Sequence, residues 1–350
     1  MSLTNAFRTV LFVCFAAAVM LIADSATAQE DRVFPLKGGA AVRGKIVERT
    51  RDKVVIEVRG TNQNFPSNEI ARVVFDGEPP QLTRAKDSIG QGNLDQAIEE
   101  FTKIDVSTVK SDEVKQDYQF YRGYLAAANA LRGKGDATTA TGLLLNWAKA
   151  NSTSHHFYTA SEKLGELAMA SGAPADASKY FGVLAAAPFP DLKVKGGYLA
   201  GKALLALKQI PEAKTKLATV IQAQVSDPAS LKLKKLAKIA LVYCDAAEGK
   251  PDQAIQELEK MVDEGDSTDA ELFASLYNAT GVILQDAGKN EEALLAFLKT
   301  DLLYASETDA HSEALYWLSK LWSKVGDNQR ATDAKSRLAK LYPTSQWLKK

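Results

Sequence analysis

Histidine and cysteine are nearly missing from this chain, which has three of the first and two of the second in 350 residues. A disulfide framework or a multi-histidine metal centre has little to be built from. Net charge is missing too: 43 basic side chains meet 43 acidic ones. That balance argues against a protein that grips duplex nucleic acid by neutralising many phosphates. It gives no reason to expect steering toward an anionic membrane. Catalytic signatures are absent: there is no Gly-x-Ser-x-Gly elbow, no Gly-x-x-x-x-Gly-Lys-Ser/Thr loop and no His-Glu-x-x-His pair. The chain therefore reads as a non-enzyme with no catalytic residues, no cofactor and no metal site. Gly90-Gln-Gly92 and Gly133-Lys-Gly135 resemble pieces of nucleotide loops, but neither follows a strand pattern, so both read as turns. His155 and His156 are adjacent and would diverge on a helix, and neither cysteine has ligand spacing to them.

What is present suits a folded protein, with 46% hydrophobic and 25% charged residues. The one long apolar run is Val10 to Ala23, preceded by Arg8 and followed by Ala26-Thr27-Ala28. It is shorter than the roughly 20 residues a spanning helix needs. Its flanks are those of a cleavable signal peptide over 1–28, with cleavage after Ala28 and no membrane span left in the mature chain. A periplasmic or secreted location is expected. Val13 before Cys14 does not fit a lipoprotein signal. Removing 1–28 takes one charge of each sign, Arg8 and Asp24, so neutrality survives, and Cys244 is left without a disulfide partner.

Residues 29–80 read as a small β domain. Val42, Gly44 and Ile46 alternate, as do Val54, Ile56 and Val58, and Ile70 to Phe75 is a third β-rich run. Gly38-Gly39, Arg51-Asp52 and Gly60 to Asn64 are expected as turns. Several short strands without a helical pattern predict a small twisted barrel. The Gly-Lys-Ile, Val-Val-Ile-Glu-Val and Ser-Asn-Glu-Ile-Ala-Arg-Val segments resemble SH3-like or Sm-like barrels. Pro79-Pro80 ends the domain.

From residue 81 to 350 a longer self-similarity takes over. Ala97, Ala140, Ala177, Ala213, Ala254, Ala293 and Ala331 recur at spacings of 36 to 43 residues. Five positions before each stands Gly92, Gly135, Gly172, Lys208, Gly249, Gly288 or Gly326. Gly165, Gly201 and Gly281 precede the alanines at a further common offset, and Phe101, Phe181 and Phe297 follow them by four. This arrangement resembles the tetratricopeptide repeat family. There a small residue sits at position eight of the first helix, a glycine in the turn and an alanine at position twenty. Leu164-Gly165, Tyr277 and Pro343 match further family positions.

The resemblance implies a mainly α fold, an α-solenoid of about seven helix pairs behind the small β-barrel domain. Physically, small residues allow two antiparallel helices to cross closely, and a pair that cannot bury both faces must stack on its neighbours. Every spacing exceeds the family's 34 residues, and the extra length of the first and fourth intervals falls in Asp105–Asp112 and Ala223–Ala229. Lys335 replaces a large apolar residue in the last repeat.

In that family the first helix of each pair carries the ligand contacts. Carried over, those positions are Arg122, Asn129, Arg132, Tyr198, Lys202, Asn278, Gln285, Tyr316 and Lys320. Tyrosine and arginine are side chains that carry interface energy. The basic cluster Lys232, Lys234, Lys235 and Lys238 interleaves with leucines and reads as a solvated helix face. The acidic stretch Asp263 to Glu271 lacks calcium-loop spacing and reads as a connector. The reading that results is an exported adaptor for a protein partner, with envelope assembly as one role. The alternative is a cell-wall or glycan-binding protein using the β domain, which is weakened because its only aromatics are Phe34, Phe65 and Phe75.

Overall fold

The computed structural model describes residues 30–350; the leader expected over 1–28 lies outside them. Five strands come first: β1 (Asp31–Pro35), β2 (Val42–Arg49), β3 (Lys53–Val58), β4 (Thr61–Pro66) and β5 (Ile70–Val74). They form an antiparallel sheet in the order β4-β3-β2-β1-β5, with a bulge in β2 between Ile46 and Glu48. Successive Val54, Val55 and Ile56 are all buried, so β3 is covered on both faces. Thr61 to Asn64 were expected in a turn and are instead paired in β4. Val58 pairs Thr61, so the turn is only Arg59-Gly60, with φ of 52° and 80°. Two positive φ values are what a tight hairpin turn demands. The polar residues of β4 carried no strand signal because an edge strand with exposed side chains needs no apolar alternation.

Seven helix pairs follow. They are α1 (Pro80–Gly90) with α2 (Leu94–Thr102), α3 (Asp112–Leu131) with α4 (Ala137–Ala150), and α5 (Phe157–Ala170) with α6 (Pro174–Ala185). Next come α7 (Pro190–Ala206) with α8 (Ile210–Gln222), and α9 (Pro228–Ala247) with α10 (Pro251–Asp263). The last are α11 (Ala270–Asp286) with α12 (Asn290–Leu303), and α13 (Thr308–Lys324) with α14 (Asn328–Leu341). No strand occurs after Pro79-Pro80 among the described residues. Pro80 itself opens α1, where its missing N–H costs nothing. Asp136 and Asp227 cap their helices by accepting from Thr139 N at 2.7 Å and Ser230 N at 2.8 Å.

The seven anchor alanines are all buried. The glycines at the crossings show why nothing larger fits. A Cβ on Gly165 would sit 2.3 Å from the Phe181 ring, and one on Gly281 would sit 2.6 Å from the Phe297 ring. Both partners follow the anchor alanine by four residues, so the small residue and the large one are complementary halves of one crossing. The turn positions also hold, with one exception. Lys208 takes the left-handed conformation (φ 59°) that glycine takes at its equivalents. Gly135 does not take it; in that pair α3 ends earlier and Gly133, at φ 78°, is the left-handed residue.

The sheet is not a separate bead. Val33, Val54, Ile56, Val73 and Phe75 share one apolar cluster with Leu82, Phe120, Tyr121, Leu144, Trp147 and Leu164. The sheet also reaches further along the stack, where Asn68 donates to Asp191 at the start of α7 at 3.0 Å. Arg51 donates to Ser152 O at 2.8 Å, and the Tyr158 hydroxyl donates to Asp52 at 2.8 Å across the same seam.

Candidate functional site

Successive first helices pack on one another, α3 on α5, α7 on α9, α9 on α11 and α11 on α13. Successive second helices make at most slight contact, so the first helices form the inner layer of a curved stack. Side chains on that inner layer meet across several repeats. Lys202 on α7 is exposed to water yet ringed by neighbours from other pairs. Nearby Tyr198 and then Asp309, Glu313 and Glu271 hold its ammonium above its ordinary pKa, against the opposing crowding of neighbouring helices that thins its water shell. Burial pushes the Glu313 carboxyl up, and Lys202, Asn278 and Lys350 partly offset this. Burial and then Asp286 raise the Tyr243 phenol, with Glu313 contributing. A lysine on α7, a tyrosine on α9 and a glutamate on α13 thus act on one another's charge across the inner layer.

The expected binding residues divide into three groups. Tyr198, Lys202, Tyr316 and Lys320 stand on the inner helices, with Lys202 Nζ 5.7 Å from the Tyr198 ring and Lys320 Nζ 5.4 Å from the Tyr316 ring. Asn278 is buried and already engaged, donating to Ala310 O at 2.8 Å and to Glu313 at 3.2 Å. It joins α11 to α13 and is therefore a strut between repeats, not a free contact. Asn129 and Arg132 are also occupied: Arg132 donates to Asp95 at 2.8 Å and Asn129 to Lys134 O at 3.0 Å. Arg122 is exposed and Gln285 half-buried; the structure joins neither to the inner-layer group.

Glu313, Tyr243 and the C-terminal segment were not anticipated. Trp347 packs 5.1 Å from the Tyr316 ring and Lys350 Nζ lies 3.9 Å above the Trp347 ring. A Cβ on Gly133 would lie 2.7 Å from Thr344, so this segment reaches back to the α3–α4 turn. Only the winding of the stack brings it there. Most of the basic cluster on α9 is engaged, with Lys232 paired to Glu271 at 2.5 Å, Lys238 to Glu257 at 2.8 Å and Lys234 donating to Ala223 O at 2.7 Å. Cys244 is buried, which pushes its thiol up to about 11.

A second cluster lies where the sheet meets the helices. Lys86 on α1 is fully buried, donating to Val73 O at 2.8 Å and paired with both Glu78 and Asp117. Asp117 Oδ1 lies 2.7 Å from His156 Nε2. The His155 and His156 rings are 3.9 Å apart, and His156 also stacks on Phe120 at 3.8 Å. The expectation that the two histidines diverge is overturned, since their rings lie side by side. They precede α5 in a turn, where the angular spacing of a helix does not apply. Burial lowers the pKa of both imidazoles, that of His155 well below the usual value.

No protein-family profile matches the chain, and no curated protein matches it in sequence. Among solved structures it is similar to a tetratricopeptide repeat protein from Parabacteroides merdae ATCC 43184. The alignment covers 77% of this chain and 96% of that one, with a TM-score of 0.54 and 14% identity. The fold is a tetratricopeptide-like solenoid. Pseudomonas aeruginosa pilF aligns more loosely, with 17% identity over 67% of this chain and 95% of that one and a TM-score of 0.38. The apo form of RapI gives 11% identity over 76% of each chain and a TM-score of 0.47. Fourteen helices in this solenoid stand behind a five-stranded sheet.

Proposed function

We propose that this chain is an exported, non-catalytic adaptor whose inner cleft holds a segment of a protein partner. The observation that carries the reading is the inner-layer group of Tyr198, Lys202, Tyr243 and Glu313, where Lys202 on α7 and Glu313 on α13 act on each other's charge, with Tyr316 joined to it through Trp347 and Lys350. Aromatic side chains beside charges of both signs suit a peptide with mixed character. Export rests on the signal-like features before residue 29, and a periplasmic or secreted role in envelope assembly completes the reading. No helix among the described residues is long and apolar enough to cross a membrane. The sheet, SH3-like or Sm-like in this reading, serves as an anchor.

The glycan-binding alternative finds little support in the sheet. The Arg72 guanidinium covers Phe34 at 3.6 Å, Phe75 is buried and Phe65 packs into the core. The test is capture of envelope proteins by the chain and by a Tyr198→Ala/Tyr316→Ala variant, with Lys179→Ala on the outer helix α6 as control. Loss of the captured protein in the cleft variant alone is expected. Equal capture by all three would overturn the proposal.

A further inference from the structure

His155 is 6% exposed, and neither of its ring nitrogens has a hydrogen-bond partner. The other two histidines are both engaged, His156 with Asp117 and His311 with Asp301 and Tyr342. Buried polar groups are almost always satisfied, so an idle imidazole calls for an explanation. One ligand atom from each of Asp117, His155 and His156 falls within 4.8 Å of the others. We propose that these three side chains form a site for a divalent transition-metal ion of the zinc class.

The donor set favours that class. Two imidazoles and one carboxylate suit zinc and its neighbours, whereas calcium and magnesium require oxygen-rich shells. Asp117 is already braced as a ligand would be. Its second oxygen is held by Lys86, and Glu78 in turn balances the Lys86 charge. Such outer partners orient ligating carboxylates. The ion would replace the proton shared by His156 Nε2 and Asp117 Oδ1. His155 must turn, because its ring lies across from that of His156 with a 35° tilt. That rotation breaks no hydrogen bond, since His155 makes none. The fourth position would face a cavity of about 130 Å³ beside Ile70, Tyr121, Tyr124 and Thr159, which has room for a water. Bound there, the ion would tie α3 to the entry of α5 beneath the sheet, joining two successive pairs.

The test uses the untagged chain stripped with a chelator, titrated with zinc by calorimetry and with cobalt by visible absorption. One zinc per chain and tetrahedral cobalt bands are expected. His155→Ala should weaken binding by at least about 10-fold, as loss of a direct ligand costs no less than loss of an outer one. Because His155 is buried against His156, truncation also leaves a cavity, so His155→Phe, which keeps a ring but offers no ligand atom, should lose binding equally while retaining the metal-free fold, which separates ligand loss from misfolding. Failure of the wild-type chain to take up zinc would overturn the site. So would equal uptake by His155→Ala, which would leave adventitious surface binding as the explanation.

Discussion

Replacing Lys86 with methionine tests the seam between sheet and solenoid. The ammonium holds Glu78, Asp117 and the Val73 carbonyl at once, and all three side chains are almost completely buried. Methionine fills a similar volume but leaves two carboxylates facing each other without a cation. Breaking a buried ion pair from one side costs about 3–5 kcal/mol. Solenoids do not melt as one unit, so the relevant transition is that of the sheet with its first pairs. For a unit of roughly 150 residues the unfolding entropy is about 0.3 kcal/mol/K, so the melting temperature should fall by about 10–15 °C. The loss should also grow with pH. In the variant the Glu78 carboxyl, facing the Asp117 charge without a cation, would have a folded pKa further above its unfolded one, so stability is lost as pH rises from the unfolded value through the folded one. Burial already pushes the Glu78 carboxyl up even with Lys86 in place. Differential scanning calorimetry at pH 5 and pH 8 reads both effects. Adding Glu78→Gln and Asp117→Asn should recover most of the loss, because no unpaired charge remains. A shift below about 3 °C, with no pH dependence, would refute the argument that Lys86 holds the seam.

Three further outcomes follow from other parts of the fold. Gly281→Leu drives a side chain into the fully buried Phe297 ring and should destabilise by at least about 1–3 kcal/mol in urea unfolding; an unchanged midpoint would mean this crossing is misplaced. Lys208→Gly relieves a left-handed backbone and should stabilise the fourth pair by about 0.5–1 kcal/mol, read from the exchange of its amide hydrogens. Burial would raise the Asp301 carboxyl, but hydrogen bonds from His311 and Arg337 outweigh it and hold the pKa at about 2. Because the folded value is depressed, its stabilisation is complete above about pH 4 and is mostly lost as pH falls toward 2. Asp301→Asn should therefore cost about 2 kcal/mol at pH 7 and only about 0.4 kcal/mol at pH 2, measured by denaturant unfolding at each pH.

The repeat array could be read from the chain because its rules are local and recur. A crossing needs a small residue opposite a large one, and a turn needs a left-handed backbone, so Gly281 with Phe297 and Gly288 mark their places wherever the pattern returns. The rule bends where a side chain tolerates the turn, as Lys208 does, or where a helix stops early, as α3 does before Gly133. β4 stayed hidden because its residues face water on an edge, where hydrophobic periodicity carries no information.

The candidate sites were less legible. Tyr198, Lys202 and Tyr316 could be placed on first helices from spacing alone, but partnership with Glu313 required the stack to wind α7 and α13 toward each other. Spacing could not tell that Asn278 and Arg132 brace neighbouring helices. His155, His156 and Asp117 lie far apart or misleadingly close in the chain, and a turn before α5 sets their directions. Sequence by itself determined which helices pair, because pairing depends on neighbours within about forty residues. Only tertiary structure decided which charges and rings meet, because electrostatic and packing contacts act through space and not along the backbone.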